Sequence, residues 1–174
     1  MNIPVYLTQR WDDNHDAVVR WVLEHPTRFI PKGFKVESVD VEVSLIAMKQ
    51  SFDYPAERWV VGSSDPAAYV DVLLRWGNAE VTRYSVVECK GWRCEGGKVI
   101  RQVKRYAQLL WVGRKLWAKK GCEIHKYVAS PDNSSVDLLG VAGVEFVRVP
   151  AKVLPWTRAQ TAPPGEDALE ISVQ

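Results

Sequence analysis

The stretch Val81-Thr82-Arg83-Tyr84-Ser85-Val86-Val87-Glu88-Cys89-Lys90-Gly91 decides how this chain is read. Tyr84, Val86 and Val87 are strand formers, so a strand is expected from Val81 to Cys89. Side chains two apart on a strand share a face. Glu88 and Lys90 therefore stand side by side at the strand's C-terminal end. A carboxylate can hold a divalent metal, and an ammonium beside it can orient a nucleophile or neutralise developing charge.

Upstream, Ala68 to Trp76 reads as a second strand, with Asp71 set among Val70, Val72, Leu73 and Leu74. A lone buried carboxylate is costly, so Asp71 needs a partner or a metal. Gly77-Asn78 turns the chain between the strands, and the hairpin brings Asp71 toward Glu88 and Lys90 at one sheet edge. A cross-strand ion pair explains these three residues almost as well as a metal site does. In the metal reading, Cys89 contributes only its carbonyl, and its thiol points into the core.

Downstream, Gly91 to Gly97 is a loop, and Lys98 to Lys119 reads as a helix stopped by Gly121. Gln102 and Tyr106 are four apart, hence on one face, beside Val99 and Val103. From Lys98 to Lys120 there are eight basic residues and no acid; at a net charge of +2, the remainder of the chain carries −6. Such a block, with Lys98, Arg101, Lys104 and Arg105 nearest the acid–lysine pair, suggests a polyanion approaching the site. A solvated helix face is the plainer alternative. In the loop, Trp92 and Arg93 are candidates for stacking on an unpaired base and for phosphate contact, with packing the competing role for Trp92.

The rest of the chain supplies a frame. Asp12 to His25 reads as a helix with Val18, Trp21, Val22 and Leu23 on its apolar face. Phe34 to Ile46 reads as a strand with Val39, Val41, Val43 and Leu45 on one side. Lys49 to Glu57 reads as a connection, Trp59 to Gly62 as a short strand, and Asp65-Pro66 as a turn. Glu123 to Ala129 is a strand, Ser135 to Ala142 a short helix and Val144 to Val149 a last strand. The order predicts one α/β domain over residues 1–150, a mixed central sheet flanked by helices. Residues 151–174 read as a Pro-rich tail.

In this order Asp71, Glu88-Cys89-Lys90 and Gln102-x-x-x-Tyr106 resemble the motifs of the PD-(D/E)XK nuclease superfamily, in its RecB-like and Cas4-like branch. The resemblance covers about residues 12–149 and implies a restriction-endonuclease-like core. It implies a Mg²⁺- or Mn²⁺-dependent deoxyribonuclease, exo- or endonucleolytic, serving DNA repair or recombination. Asp71 and Glu88 would be metal ligands, Lys90 the catalytic lysine, and Gln102 and Tyr106 supporting residues. Relatives often add a ligand from the first helix, for which Glu24 is preferred to His15. Two other readings fit the same residues: a dimeric endonuclease of the Holliday-junction-resolvase kind, and a non-catalytic nucleic-acid-binding subunit.

DNA is the expected partner, ahead of RNA. A second copy of the chain, or a helicase or recombination protein, would be further partners. No Walker A motif is present, so ATP-driven unwinding would have to come from such a partner. Three cysteines, Cys89, Cys94 and Cys122, are too few for a Cys₄ iron–sulfur or zinc site and do not suggest a disulfide framework. Met1 to Trp11 has no apolar run of signal-peptide length, and no segment approaches the roughly 20 apolar residues of a membrane span. An intracellular, cytoplasmic protein is expected, chromosomal, viral or plasmid-borne.

Overall fold

The structure, a computed structural model, describes residues 13–53, 58–77, 81–116 and 121–155, with side chains for 14–45, 68–77, 81–116 and 121–155. Expectations for Trp11, Trp117, Lys119, Lys120, Trp156, the Trp59 side chain and the tail beyond 155 lie outside these residues.

Helix α1 (Asp13–Glu24) is followed by a single 3-10 turn and then strands β1 (Lys35–Asp53), β2 (Arg58–Gly77) and β3 (Thr82–Cys89). Helix α2 (Gly96–Gly113) crosses to β4 (Glu123–Ser130), and α3 (Val136–Val141) crosses to β5 (Glu145–Arg148). The sheet order is β1-β2-β3-β4-β5. β1, β2 and β3 pair antiparallel; β4 runs parallel to β3, and β5 to β4. Parallel neighbours need a crossover, which the helices provide. This is the expected α/β architecture, a mixed central sheet flanked by helices.

Two apolar layers cover the sheet. On one face Val18, Val19, Val22 and Phe29 pack against Val72, Leu74, Trp76 and Val87. On the other, Val99, Val103, Tyr106 and Leu110 of α2 pack against Leu73, Val86 and Val128. β3 is covered on both sides, which explains its unbroken burial from Tyr84 to Cys89. The start of the expected tail belongs to the domain: Ala151–Val153 forms a 3-10 turn, and Val153 and Leu154 pack on the α1-side core.

The β1–β2 ribbon departs from expectation. Residues 49–53, read as a connection, belong to β1, and Asp65-Pro66, read as a turn, lies within β2. The ladder continues from Met48↔Ser63 to Asp53↔Arg58. Pro66 is tolerated because it pairs with Ile46 at a register shift, and β3 joins β2 only from Val72 onward. Val39, Val41, Val43 and Leu45 do not share one face either. Val39 and Val41 pack with the α1-side core, Val43 and Leu45 with the α2 side. Between them Glu42 has φ 50°, a left-handed conformation that inverts the strand's alternation. β2 inverts at the facing step, with Val70 on the α2 side and Val72 on the α1 side. Asp71 sits at that inversion.

Helix α2 is also shorter than expected. It ends at Gly113, with the Arg114 N–H bonded to Leu110 O at 3.0 Å and Lys115 left-handed at φ 51°. The stop is therefore local to residues 113–115 and precedes Gly121. Lys98, Arg101, Lys104, Arg105, Arg114 and Lys115 are all exposed.

Candidate active site

Strand β3 delivers Glu88 and Lys90 to the edge where β2 turns away from it. Continuing the register one step past Val72↔Val87 sets Asp71 beside Glu88. Both carboxylates are nearly inaccessible, Asp71 at 8% and Glu88 at 3% exposure. One Asp71 oxygen, Oδ2, accepts the Cys89 backbone N–H at 2.7 Å and lies 3.3 Å from His15 Nε2. Lys90 Nζ donates to Glu88 Oε1 at 2.5 Å, while Glu88 Oε2 is buried with no hydrogen-bond partner.

The electrostatics follow from this geometry. Burial, and next the neighbouring Asp71 charge, push the Glu88 carboxyl up to about 7, against the opposing pull of Lys90 and Tyr106. Burial works against the Lys90 ammonium, but the Glu88 carboxylate outweighs it and leaves its pKa above the ordinary value. Burial, then Glu88, raises the Tyr106 hydroxyl, and the Gln102 side chain tempers the rise. Gln102 Oε1 is buried without a hydrogen-bond partner. The Cys89 thiol is fully buried and its pKa is raised by that burial, as a core thiol's should be.

Two loops brace the edge. Lys90 N–H bonds to Ala129 O at 2.9 Å, carrying the β3–β4 ladder up to the lysine. Beyond it Gly91 packs against the first turn of α1: a Cβ there would come within 2.8 Å of Asn14 Cβ and His15 N. Only glycine admits that approach. Cys94 N–H then donates to Asp132 Oδ2 at 3.0 Å. Ser135 Oγ accepts from Gly96 N–H at 3.2 Å and donates to Cys94 O at 2.6 Å. The loop after β3 is thereby fastened to the loop after β4. Pro131-Asp132-Asn133-Ser134 leads from β4 into α3, and nothing in the sequence indicates that Asp132 and Ser135 serve the other loop.

Asp71, Glu88, Lys90, Gln102 and Tyr106 are thus brought together. Glu24 is not: it is exposed at the far end of α1, in a groove with Arg20 and Lys152. The α1 residue that reaches Asp71 is His15, the less favoured of the two candidates. Trp92 is half-buried and Arg93 exposed, both just past the acid–lysine edge in the chain. Among the described residues no group of three or more His, Cys, Asp or Glu side chains is close enough to hold a metal ion. The donors at hand are the Asp71–Glu88 carboxylate pair. A Mg²⁺ site commonly uses one or two carboxylates and completes its shell with water and phosphate. A buried, unpartnered carboxylate oxygen beside a second carboxylate fits such a cation.

Fold and site together define an α/β domain with an acid–lysine cluster at the edge of a mixed sheet. No family model and no curated protein matches the chain. Among solved structures it is similar to the crystal structure of a repair endonuclease from Pyrococcus abyssi, at 19% identity and a TM-score of 0.47. That similarity covers 82% of this chain and 49% of the other, so the chain spans about half the length of that protein. Among the described residues no helix is long and apolar enough to cross a membrane.

Proposed function

We propose that this chain is a nuclease that hydrolyses DNA phosphodiester bonds with Mg²⁺ or Mn²⁺. The carrying observation is the buried Asp71–Glu88 pair with its unpartnered Glu88 oxygen, set against Lys90. Two carboxylates at one buried edge ionise together only when cations offset them, and Lys90 offsets only one; without a metal Glu88 keeps its proton to about pH 7. Asp71 and Glu88 are the residues to hold the divalent ion, which supplies Lewis acidity to the reaction. Lys90, tethered to Glu88, presents its ammonium where charge develops on the phosphate. Gln102 and Tyr106 close the α2 side of the site, Tyr106 set against the Glu88 carboxylate and Gln102 against Tyr106. The exposed cations Lys98, Arg101, Lys104 and Arg105 lie within about one turn of Gln102 and give the DNA backbone a basic track.

Cleavage of labelled single- and double-stranded DNA, with Mg²⁺ or Mn²⁺ and with chelator, tests this reading. Metal-dependent cutting that Glu88→Ala and Lys90→Ala each abolish is the expected result. Wild-type rates in both variants would remove the site assignment, and no cutting in any metal would remove the activity.

A further inference from the structure

Beside the acid–lysine edge lies a cavity of about 660 Å³, within the range of small-ligand sites. Its wall begins at Trp92, two residues beyond Lys90, and includes Arg93, Glu95, Asn133, Ser134 and Leu154. We propose that this cavity takes an unpaired nucleobase of the nucleic-acid strand whose phosphate reaches the catalytic edge. This rests on the nuclease reading and sharpens it: the favoured substrate has unpaired bases next to the bond that is cut.

Three observations carry the choice of ligand. The Trp92 indole is half-buried, lines the cavity and stacks on no other ring among the described residues. An indole face so placed is a stacking platform for a planar ring, and stacking tolerates any base. Second, the cavity's charge is wrong for phosphate. Glu95 and Asp132 line it against Arg93, the one cation among its lining residues, so an anion is disfavoured inside, while the amino and imino N–H groups of bases find an acceptor in Glu95. Asn133 and Ser134 are exposed there, and their side chains add further donors and acceptors. Third, the walls are fixed before any ligand arrives. The bonds of Cys94 and Gly96 to Asp132 and Ser135 tie the two loops together, and Ser134 N–H donates to Asp132 Oδ1 at 3.0 Å. A preformed site spends little binding energy on ordering itself. Arg93, exposed at the rim, is placed for the phosphate attached to the inserted base.

The test uses Lys90→Ala protein, which leaves the DNA intact. Duplexes carrying a single-stranded flap, with 2-aminopurine at successive positions near the junction, are titrated by anisotropy and by 2-aminopurine emission; a fully paired duplex is the control. Emission should be quenched at one or two adjacent unpaired positions. Adding Trp92→Ala should remove that quench and weaken flap binding roughly 5- to 150-fold, the range for losing one stacked base, with paired-duplex affinity unchanged. Asn133→Ala, at an exposed position that leaves the fold intact, should weaken flap binding selectively by a smaller factor. Bound flap DNA without position-dependent quenching overturns the proposal, as does flap affinity untouched by both variants. DNA left unbound in either form overturns the nuclease reading, and this proposal with it.

Discussion

Replacing Glu88 by glutamine in metal-free protein should stabilise the fold, and increasingly so as pH rises. Glu88 is 3% exposed and its carboxyl is lifted from 4.5 to about 7 in the folded protein. A carboxyl whose folded pKa is raised holds its proton in the native state after the unfolded chain has released it. Stability is therefore highest below the unfolded pKa and falls as pH rises from about 4.5 to about 7, then levels off. At about 1.4 kcal/mol per pKa unit the full cost is about 3 kcal/mol. The attraction of Lys90 is already contained in that value. Glutamine copies the neutral carboxyl and escapes the cost, so the gap between variant and wild type should widen by about 2–3 kcal/mol between pH 5 and pH 8. For a chain of this size that is about 5–10 °C in Tm, read by calorimetry or circular dichroism in chelator. Adding Mn²⁺ at pH 8 should raise the wild-type Tm and leave that of Glu88→Gln nearly unchanged, because binding to the ionised site stabilises the native state by mass action. A gap independent of pH, or a variant less stable at pH 8, would refute the reasoning about this carboxylate.

Other perturbations probe the frame and the surface. Gly91→Ala puts a methyl within 2.8 Å of α1 backbone and should cost about 1–3 kcal/mol in denaturant melts, with reduced cleavage because the first turn of α1 must move. Ser135→Ala removes the hydroxyl that joins Gly96 and Cys94, and a loss of about 1–3 kcal/mol is expected by the same measurement. Glu42→Val forces a β-branched residue into φ 50° and should destabilise by about 1–3 kcal/mol, whereas Glu42→Gly should be tolerated. Removing Arg101 and Lys104 together should weaken DNA binding for all sequences alike and lower the slope of log K against log salt by about 2 if each meets one phosphate.

Much of this was readable from residue order. β3 announced itself through Tyr84, Val86 and Val87, and α2 through Val99, Val103 and Tyr106 at helical spacing. Asp71, Glu88 and Lys90 stood out because charge in an apolar run needs a physical reason. What escaped lay in backbone conformations and contacts that the residue pattern does not carry. The inversion at Glu42 cannot be read from alternating valines, because the pattern stays intact while the backbone swaps faces. Pro66 carries a turn signal, and only an open ladder on its β3 side lets a strand run through it. That His15 rather than Glu24 reaches Asp71 depends on how α1 lies across the sheet, where Gly91 packs against its first turn. The helix stop at residues 113–115 hinges on a lysine in a left-handed conformation, for which Lys115 gives no sequence cue.

The close seat of Gly91 against Asn14 and His15 has a consequence for how the chain is built. All five motif residues fall between 71 and 106, a stretch that can form its hairpin and helix from local contacts. What holds its edge in place comes from far away in the chain: α1 from before residue 25, and Ala129, Asp132 and Ser135 from after β4. Such high-separation contacts close late, since the loop entropy must be met first. During synthesis the acid–lysine edge therefore stays unbraced until about residue 135 has emerged and docked, and it is complete only when both halves of the domain have come together.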